Sequence, residues 1–439
     1  MARSATDIGN PTKSELAVRF QKLKAEIHRQ LVEGLDLSRL HLLKPERLRR
    51  EVRELATHMS TGSSAMLNEL ERERLVDEIM DEAFGLGPLE APMKDPSVSD
   101  ILVNGPREVY LERNGRLEMS DIVFADDAHV LQIIQRIAAR VGRRVDEMSP
   151  MVDARLPDGS RVNAIIPPLA LNGPVLSIRR FGVRLSAEDL IASESMPQEV
   201  LTLLSACVQA RLNLLISGGT GSGKTTLLNI LSGFIPYDER LVTIEDAAEL
   251  KLQRPHVVRL ETRPSNLEGA GEVRQRDLVR NSLRMRPDRI IIGEIRGPEA
   301  LDMLQAMNTG HEGSLTTVHA NDTRDALSRV ESMVMMAGVE LPIPVIRQYV
   351  VTALSLVVHV SRLKGGPRKV IRLSEVMGLH RRRRTYVLRD VFGFRQLGIR
   401  HGEAYGEFYA TGHIPRFLPR LKSMGIELSE GMFQERILS

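Results

Sequence analysis

A glycine-rich turn between an apolar strand pattern and an apolar helix pattern constrains this chain more than any other feature. The strand pattern ends at Ser217, and the helix pattern begins at Lys224. Glycines let successive backbone N–H groups turn inward around an anion, and the amino end of the following helix adds partial positive charge. This spacing predicts a phosphate-binding loop, whereas the alternative is a strand-to-helix turn without a ligand. The predicted phosphate loop consists of Gly218, Gly219, Thr220, Gly221, Ser222, Gly223, Lys224, Thr225 and Thr226.

Each residue type in this loop has a chemical role. The Lys224 ammonium is expected to reach the β- and γ-phosphates of ATP, and the Thr225 hydroxyl is expected to ligate Mg²⁺. The composition is that of a soluble globular protein, because 42% of the 439 residues are hydrophobic and 27% are charged. The net charge of +3 does not demand a polyanionic partner. The single cysteine, Cys207, excludes an internal disulfide and a cysteine-rich zinc site.

The chain length predicts two or more domains. Apolar residues from Leu16 to Leu31 recur at helical spacing, whereas short β-like runs and turn signals follow Phe84. The fold class is therefore α/β, with an α+β domain and a small helical module ahead of an α/β domain. The predicted divisions are a loose tail at 1–12, the helical module at 13–75, the α+β domain at 76–184 and the α/β domain at 185–439.

No apolar run reaches the roughly 18 to 20 residues of a membrane span, and the N-terminus lacks a signal core, so a cytoplasmic location is expected.

Two further strand patterns end in acidic residues. One delivers Glu245 and Asp246, and the other delivers Glu294 after three isoleucines. Because ligands of open α/β sheets gather at the carboxyl ends of the strands, these acids are expected to face the crevice that contains Lys224. Glu294 is predicted to position or deprotonate the attacking water, and Asp246 or Glu245 to hold Mg²⁺ through its waters. The alternative is that these acids are solvated groups at strand ends.

Histidines and arginines complete the candidate site. His311 and His319 lie in a glycine-rich run before and after a strand pattern, where a histidine can bond a phosphate oxygen or a catalytic Glu. Satisfied structural histidines are the alternative, and a zinc site lacks a third ligand class. Developing charge on a γ-phosphoryl group is often met by an arginine from another domain or subunit. The candidate arginines, for which an exposed strand position is the alternative, are Arg155, Arg161, Arg179 and Arg180.

With these motifs the chain resembles the secretion traffic ATPases of type II and type IV secretion and type IV pili. Within them it is most similar to the tight-adherence (Tad/Flp), CpaF-like pilus motors. Four motifs carry the resemblance to the whole family: the phosphate loop, the Asp box at Ile244 to Asp246, the Walker B variant at Ile291 to Arg296 and the His box from Thr309 to Asn321. The branch is indicated by Asp100 to Gly105, Asp153 to Asn163 and Gly412 to Phe417.

The resemblance implies a RecA-like C-terminal domain, a homohexameric ring and ATP bound between two domains. It also implies a role near the γ-phosphate for Arg161 and for Arg179 or Arg180. The implied function is ATP-driven assembly, or also retraction, of a pilus through inner-membrane platform proteins, with the chain peripheral to that membrane. The alternatives are a nucleic-acid-translocating ring and a nucleotide-gated scaffold. The basic run Arg381 to Arg384 favours a solvated loop, or else an anionic membrane or acidic platform, over nucleic acid, because it has no interleaved aromatic residues.

Overall fold

The computed structural model describes residues 27, 45–62, 68–113, 115–180, 185–263, 265 and 270–438. The chain divides into two compact units, one that ends at Gly182 and one that begins at Val183. The predicted tail at 1–12 lies outside the described residues. So do most of the first predicted helix and residues 181–184, at the predicted boundary between the α+β and α/β domains.

The first unit begins with helices and continues as an antiparallel sheet. Its helices are α1 (Pro45–Gly62), α2 (Glu69–Phe84), a 3-10 turn (Gly87–Leu89), α3 (Glu90–Lys94) and α4 (Asp127–Arg140). Its strands are β1 (Val98–Asn104), β2 (Val109–Arg113), β3 (Arg116–Met119), β4 (Met151–Arg155), β5 (Arg161–Ile165) and β6 (Val175–Arg179). Helices α1 and α2 share a small apolar cluster that includes Ala56 and Leu75. A capping box starts α2, because the Asn68 side chain accepts from the Glu71 N–H and the Glu71 carboxylate accepts from the Asn68 N–H.

The sheet of the first unit has the strand order β3-β2-β1-β6-β5-β4. Alternate residues such as Ile101, Val162 and Ile178 are buried in one cluster with Ile133 and Ile134 of α4. The side chains between them point to the other face, because successive side chains of a strand alternate. That second face is largely polar, and it carries Arg155, Arg161 and Arg179, three of the four arginines predicted as site residues.

The second unit alternates strands and helices before it ends in long antiparallel strands. Its helices are α5 (Ala187–Ala192), α6 (Gln198–Gln209), α7 (Lys224–Ser232), α8 (Gln275–Ser282), α9 (Glu299–Asn308), α10 (Thr323–Met335), α11 (Ile343–Ala353) and α12 (Leu418–Ser423), with a 3-10 turn at Glu430–Phe433. Its strands are β7 (Leu214–Gly218), β8 (Leu241–Glu245), β9 (Val257–Glu261), β10 (Arg289–Ile295), β11 (Leu315–His319), β12 (Leu356–Arg362), β13 (Arg368–Leu379), β14 (Tyr386–Arg400), β15 (Glu403–Ala410) and β16 (Arg436–Leu438).

One ten-stranded sheet organises this unit, in the order β16-β15-β14-β13-β12-β7-β11-β10-β8-β9. The strands from β12 to β9 are parallel, and those from β13 to β16 are antiparallel. Both faces of the parallel part are covered: Ile291 packs in the apolar cluster of α6 and α7, and Ile290 and Ile292 pack in that of α9 and α10. The three isoleucines therefore mark a strand buried on both faces, as the sequence predicted.

Candidate functional site

Apart from His311, the predicted site residues of the second unit gather where four parallel strands end. Strand β7 ends at Gly218, β11 at His319 and β8 at Glu245, and Glu294 is the next-to-last residue of β10. Strand β11 lies between β7 and β10, so the acid and the phosphate loop are not on neighbouring strands. The connection from β7 through α7 to β8 passes over two strands. That crossover places the phosphate loop, Glu294 and Glu245 along one edge of the sheet.

The phosphate loop needs glycine at several positions. A Cβ on Gly218 would lie 2.3 Å from the carbonyl oxygen of Val360 on β12, which is too close for any other residue. Gly221 and Gly223 have φ values of +68° and +99°, in the region that favours glycine. The Ser222 hydroxyl donates to the carbonyl of Gly219 at 2.9 Å across the loop. The close strand and the left-handed residues therefore give the loop the tight curvature of an anion nest.

Lys224 begins α7 with its ammonium turned back into the loop. Its side chain is only 10% exposed, and Nζ donates to the carbonyls of Gly218 and Gly219 at 3.1 and 3.0 Å. The same Nζ lies 3.7 Å from Oε1 of Glu294, so a lysine at a helix start and an acid near a strand end share one small volume. Thr225 and Thr226 follow in the first turn of α7, next to this pair.

Two ion pairs connect Glu294 to Arg296 and Arg296 to Asp246. Arg296 donates to Oε2 of Glu294 from Nε at 3.0 Å and from Nη2 at 2.6 Å, and its Nη1 lies 3.7 Å from Oδ2 of Asp246. Arg296 thus links the two acids that the sequence predicted separately. Arg296 was not among the site residues predicted from the sequence. Arg296 lies two residues after Glu294, just past the end of β10. Residues two apart in an extended chain point to the same side, and this spacing was the available signal.

Glu245 is buried, and its carboxylate bonds the backbone that follows β8. Oε1 accepts from the backbone N–H groups of Glu249 and Leu250 at 2.8 and 3.0 Å, whereas Oε2 is buried with no hydrogen-bond partner among the described residues. The side chain passes over Gly293 of β10, where a Cβ would lie 2.9 Å from Cγ of Glu245. Burial raises the pKa of Glu245 to about 7, against the lowering effect of the two N–H donors. A carboxyl with this pKa can gain or lose a proton near neutral pH.

The two predicted histidines lie at opposite ends of β11. His319 ends the strand in register with Gly218, so it lies at the phosphate loop. His311 precedes the strand, and the five residues of β11 separate the two ends by about 13 Å at roughly 3.3 Å per residue. The expectation that both histidines line the site therefore does not hold for His311 within this chain, because a parallel strand carries its two ends to opposite edges of the sheet.

The glycine-rich segment around His311 covers a buried ion pair. Arg289, which is fully buried, donates from Nε and Nη2 to the Glu239 carboxylate at 2.5 and 2.9 Å. A Cβ on Gly313 would lie 2.7 Å from Nη1 of Arg289. Arg289 also donates to the carbonyl of Val208 at 2.5 Å. The close packing on Arg289 thus explains the glycine at position 313.

The predicted arginines of the first unit share one face of its sheet. Arg155 pairs with Arg161 across β4 and β5, and Arg161 pairs with Arg179 across β5 and β6. Asp100 of β1 continues this row beside Arg179. Arg180 points to the other side, where Nη1 donates to the carbonyls of Asp95 and Val98. Three of the four arginines therefore form one cationic row, and the fourth ties its strand to the preceding loop.

Oxygen donors at this edge fit Mg²⁺ bound together with a nucleotide. Thr225 offers a hydroxyl beside the loop, and Asp246 offers a carboxylate just beyond β8. Among the described residues, no three His, Cys, Asp or Glu side chains are placed to hold a metal ion by themselves. Mg²⁺ is commonly held by one or two protein oxygens, with phosphate and water as its other ligands. The donor set therefore suits a metal that arrives with phosphate.

The structure also bears on the basic run Arg381 to Arg384 and on the search for membrane-spanning helices. Arg381 to Arg384 are all exposed in the turn between β13 and β14, and the Arg384 carbonyl accepts from Nη1 of Arg347 at 3.1 Å. In the part of the chain that the structure covers, no helix combines the length and the apolar character that crossing a membrane requires.

Family comparisons cover the residues of this site. The Type II/IV secretion system protein family matches residues 82–374, and the N-terminal domain family of type II secretion system protein E matches residues 20–83. A putative conjugal transfer protein of Mycobacterium tuberculosis is 39% identical over 302 residues, which cover 67% of this chain and 85% of that protein. The conjugal transfer protein TrbB of Rhizobium radiobacter is 34% identical over 301 residues, which cover 67% of this chain and 88% of that protein.

Solved structures are similar over comparable lengths. The crystal structure of the VirB11 ATPase from the Brucella suis type IV secretion system, in complex with sulphate, is 31% identical with a TM-score of 0.34. The alignment covers 64% of this chain and 93% of that one. The pilus retraction motor PilT with bound ADP is 20% identical with a TM-score of 0.46, and the alignment covers 68% of this chain and 81% of that one.

Proposed function

Because the chain belongs to the Type II/IV secretion system protein family, we propose that it is an ATP-hydrolysing motor of a secretion, conjugation or pilus machine. One observation carries the proposal: the ammonium of Lys224 lies inside a glycine loop and 3.7 Å from Glu294 at the carboxyl edge of a parallel sheet. Phosphoryl transfer to water requires a cation that binds the phosphate and an acid that orients the water. Lys224 and Glu294 place both groups in the same volume.

In this proposal each residue has a distinct task. Lys224 and the loop N–H groups bind the phosphates, and Glu294 orients the attacking water or accepts its proton. Mg²⁺ held near Thr225 and Asp246 supplies charge neutralisation when it is bound with ATP. Glu245 and His319 lie along the same edge of the sheet, where they can exchange a proton or bond a phosphate oxygen.

The arginine row of the first unit is proposed to meet the charge on the γ-phosphate. Arg155, Arg161 and Arg179 present three guanidinium groups on one face, and guanidinium is well suited to phosphate recognition. Arg180 is the weakest candidate of the four, since its guanidinium already bonds backbone carbonyls of its own unit.

The machine itself is proposed from the motifs of the sequence. The Asp100 to Gly105 and Asp153 to Asn163 segments favour a Tad/Flp, CpaF-like pilus motor that acts as a homohexamer. Such a motor would work in the cytoplasm, peripheral to the inner membrane, and would deliver force to platform proteins there. Purified protein should then form rings of six with ATP, which mass photometry would measure. A monomer at all nucleotide concentrations would contradict the hexamer.

Phosphate release measures the ATPase directly. We expect Mg²⁺-dependent ATP hydrolysis by the full chain, and a loss of at least about 100-fold in Lys224→Ala and in Glu294→Gln. Lys251→Ala removes an exposed lysine from the same unit and serves as the matched control. Full turnover in either site variant would overturn the assignment of the site. ATP binding without turnover in the wild type would favour the nucleotide-gated scaffold instead.

A second function deserves a test because two relatives are named conjugal transfer proteins. A nucleic-acid-translocating ring would hydrolyse ATP faster with DNA or RNA present, and its binding would weaken steeply with salt. A flat response of turnover to both polymers would remove this candidate and leave the protein-translocating motor.

A further inference from the structure

The hairpin formed by β12 and β13 ends directly over the phosphate loop. Arg362 and Arg368 are its last paired residues and lie opposite each other. Nε of Arg368 donates to the carbonyl of Gly221 at 2.9 Å. Nη1 of Arg362 lies 3.7 Å from the place a Cβ would take on the same Gly221. Two cationic side chains from the hairpin next to β7 therefore converge on one peptide of the loop.

The bond to Gly221 fixes the direction of the next N–H group. In a planar trans peptide the C=O of one residue and the N–H of the next point in opposite directions. Arg368 holds the Gly221 carbonyl on the outer side of the loop, so the Ser222 N–H is directed across it. There it donates to the Gly219 carbonyl at 3.4 Å, which is longer than the usual roughly 2.7 to 3.2 Å of such a hydrogen bond. A phosphate oxygen would be a stronger acceptor for this N–H.

Arg368 is held by an anchored hairpin. The Leu363 N–H donates to the Pro367 carbonyl at 2.7 Å, which closes the hairpin turn. The Ala404 N–H donates to the Lys364 carbonyl at 2.9 Å, which ties that turn to the start of β15. Cδ of Arg368 also lies 3.6 Å from the place a Cβ would take on Gly223, so its stem packs on the loop. The guanidinium is thus presented by rigid backbone.

We propose that Arg368 is a positioning residue that holds the Gly221–Ser222 peptide in the orientation that binds nucleotide phosphate. The inference rests on the proposed function and adds to it a cationic support from β13. N–H groups of such a loop cradle the α- and β-phosphates, which ATP and ADP share. Loss of the support therefore weakens the binding of ADP and of ATP equally. It raises KM for ATP, whereas kcat at saturating ATP changes little.

Calorimetric titration of the full chain with Mg²⁺·ADP and with Mg²⁺·ATPγS tests this inference. Arg368→Met keeps the stem and removes the donors, and we expect it to raise both Kd values about tenfold, or about 1.4 kcal/mol. Arg368→Lys keeps a cationic donor and should recover part of the affinity. Arg395→Met is the matched control, since Arg395 is an exposed arginine of β14 that lies 3.5 Å from Glu407.

Each result decides the question. Wild-type affinity of Arg368→Met for both nucleotides would overturn the inference, as would an equal loss in Arg395→Met. A loss for ATPγS alone would mean direct contact with the γ-phosphate and would also overturn the positioning role. Circular dichroism of the variants establishes that they fold, and Arg368→Lys supplies the conservative comparison. If the wild-type chain bound neither nucleotide, the proposed function itself would fail, which separates the two tests.

Discussion

Replacing Glu245 with Gln changes one buried carboxyl group and little else. The Gln oxygen can accept from the N–H groups of Glu249 and Leu250, as Oε1 of Glu245 does now. Its amide nitrogen takes the place of Oε2, which is buried and has no hydrogen-bond partner among the described residues. Glu245→Gln therefore imitates the protonated acid and removes the ability to ionise. We expect this substitution to abolish the fall in the free energy of unfolding that the ionisation of Glu245 causes as the pH rises.

The size and sign of the effect follow from the pKa of Glu245. Burial raises the pKa from 4.5 to about 7 in the folded chain. Between these values the folded state keeps a proton that the unfolded state has lost, so the free energy of unfolding falls as the pH rises. The stabilising contribution is complete below pH 4.5 and is lost once the pH has passed about 7. A difference of about 2.5 pKa units at 1.36 kcal/mol each gives an upper limit of about 3 kcal/mol.

Urea unfolding followed by circular dichroism measures this difference. Wild type, Glu245→Gln and Glu261→Gln are compared at about pH 5 and about pH 8. Glu261 pairs with Glu245 across β8 and β9 but is exposed, so Glu261→Gln is the matched control. From the lower to the higher pH, the free energy of unfolding of wild type should fall by about 1 to 3 kcal/mol relative to that of Glu245→Gln. The control should follow wild type. Parallel pH curves for all three proteins would refute the argument.

Two further predictions concern the two histidines at the ends of β11 and the buried ion pair of Arg289 with Glu239. His319→Ala is expected to lower ATP turnover at least about tenfold, whereas His311→Ala keeps most of it, and phosphate release at matched protein concentrations compares them. Equal losses in both variants would contradict the geometry. Glu239→Gln leaves the buried Arg289 guanidinium without its counter-charge, so a loss of about 3 to 5 kcal/mol in urea unfolding is expected. A loss below about 1 kcal/mol would mean that solvent reaches Arg289.

The sequence was most informative wherever structure is local. A strand, a glycine turn and a helix that follow one another are encoded within a few residues, so the phosphate loop and its roles could be predicted directly. Strands buried on both faces are continuous apolar runs, which located β10 and the acid near its end. The α+β and α/β classes followed from the same periodicities. The family was also accessible, because its motifs are short and local.

Only the tertiary structure decided which distant groups meet. The sheet order inserts β11 between the loop strand and the acid strand, which brings His319 to the phosphate loop and carries His311 to the opposite edge. The burial of Glu245 and its raised pKa depend on how the chain turns back after β8. Arg368 reaches Gly221 from 147 residues away. Such contacts depend on strand pairing between remote segments, and no local pattern of residues records that pairing.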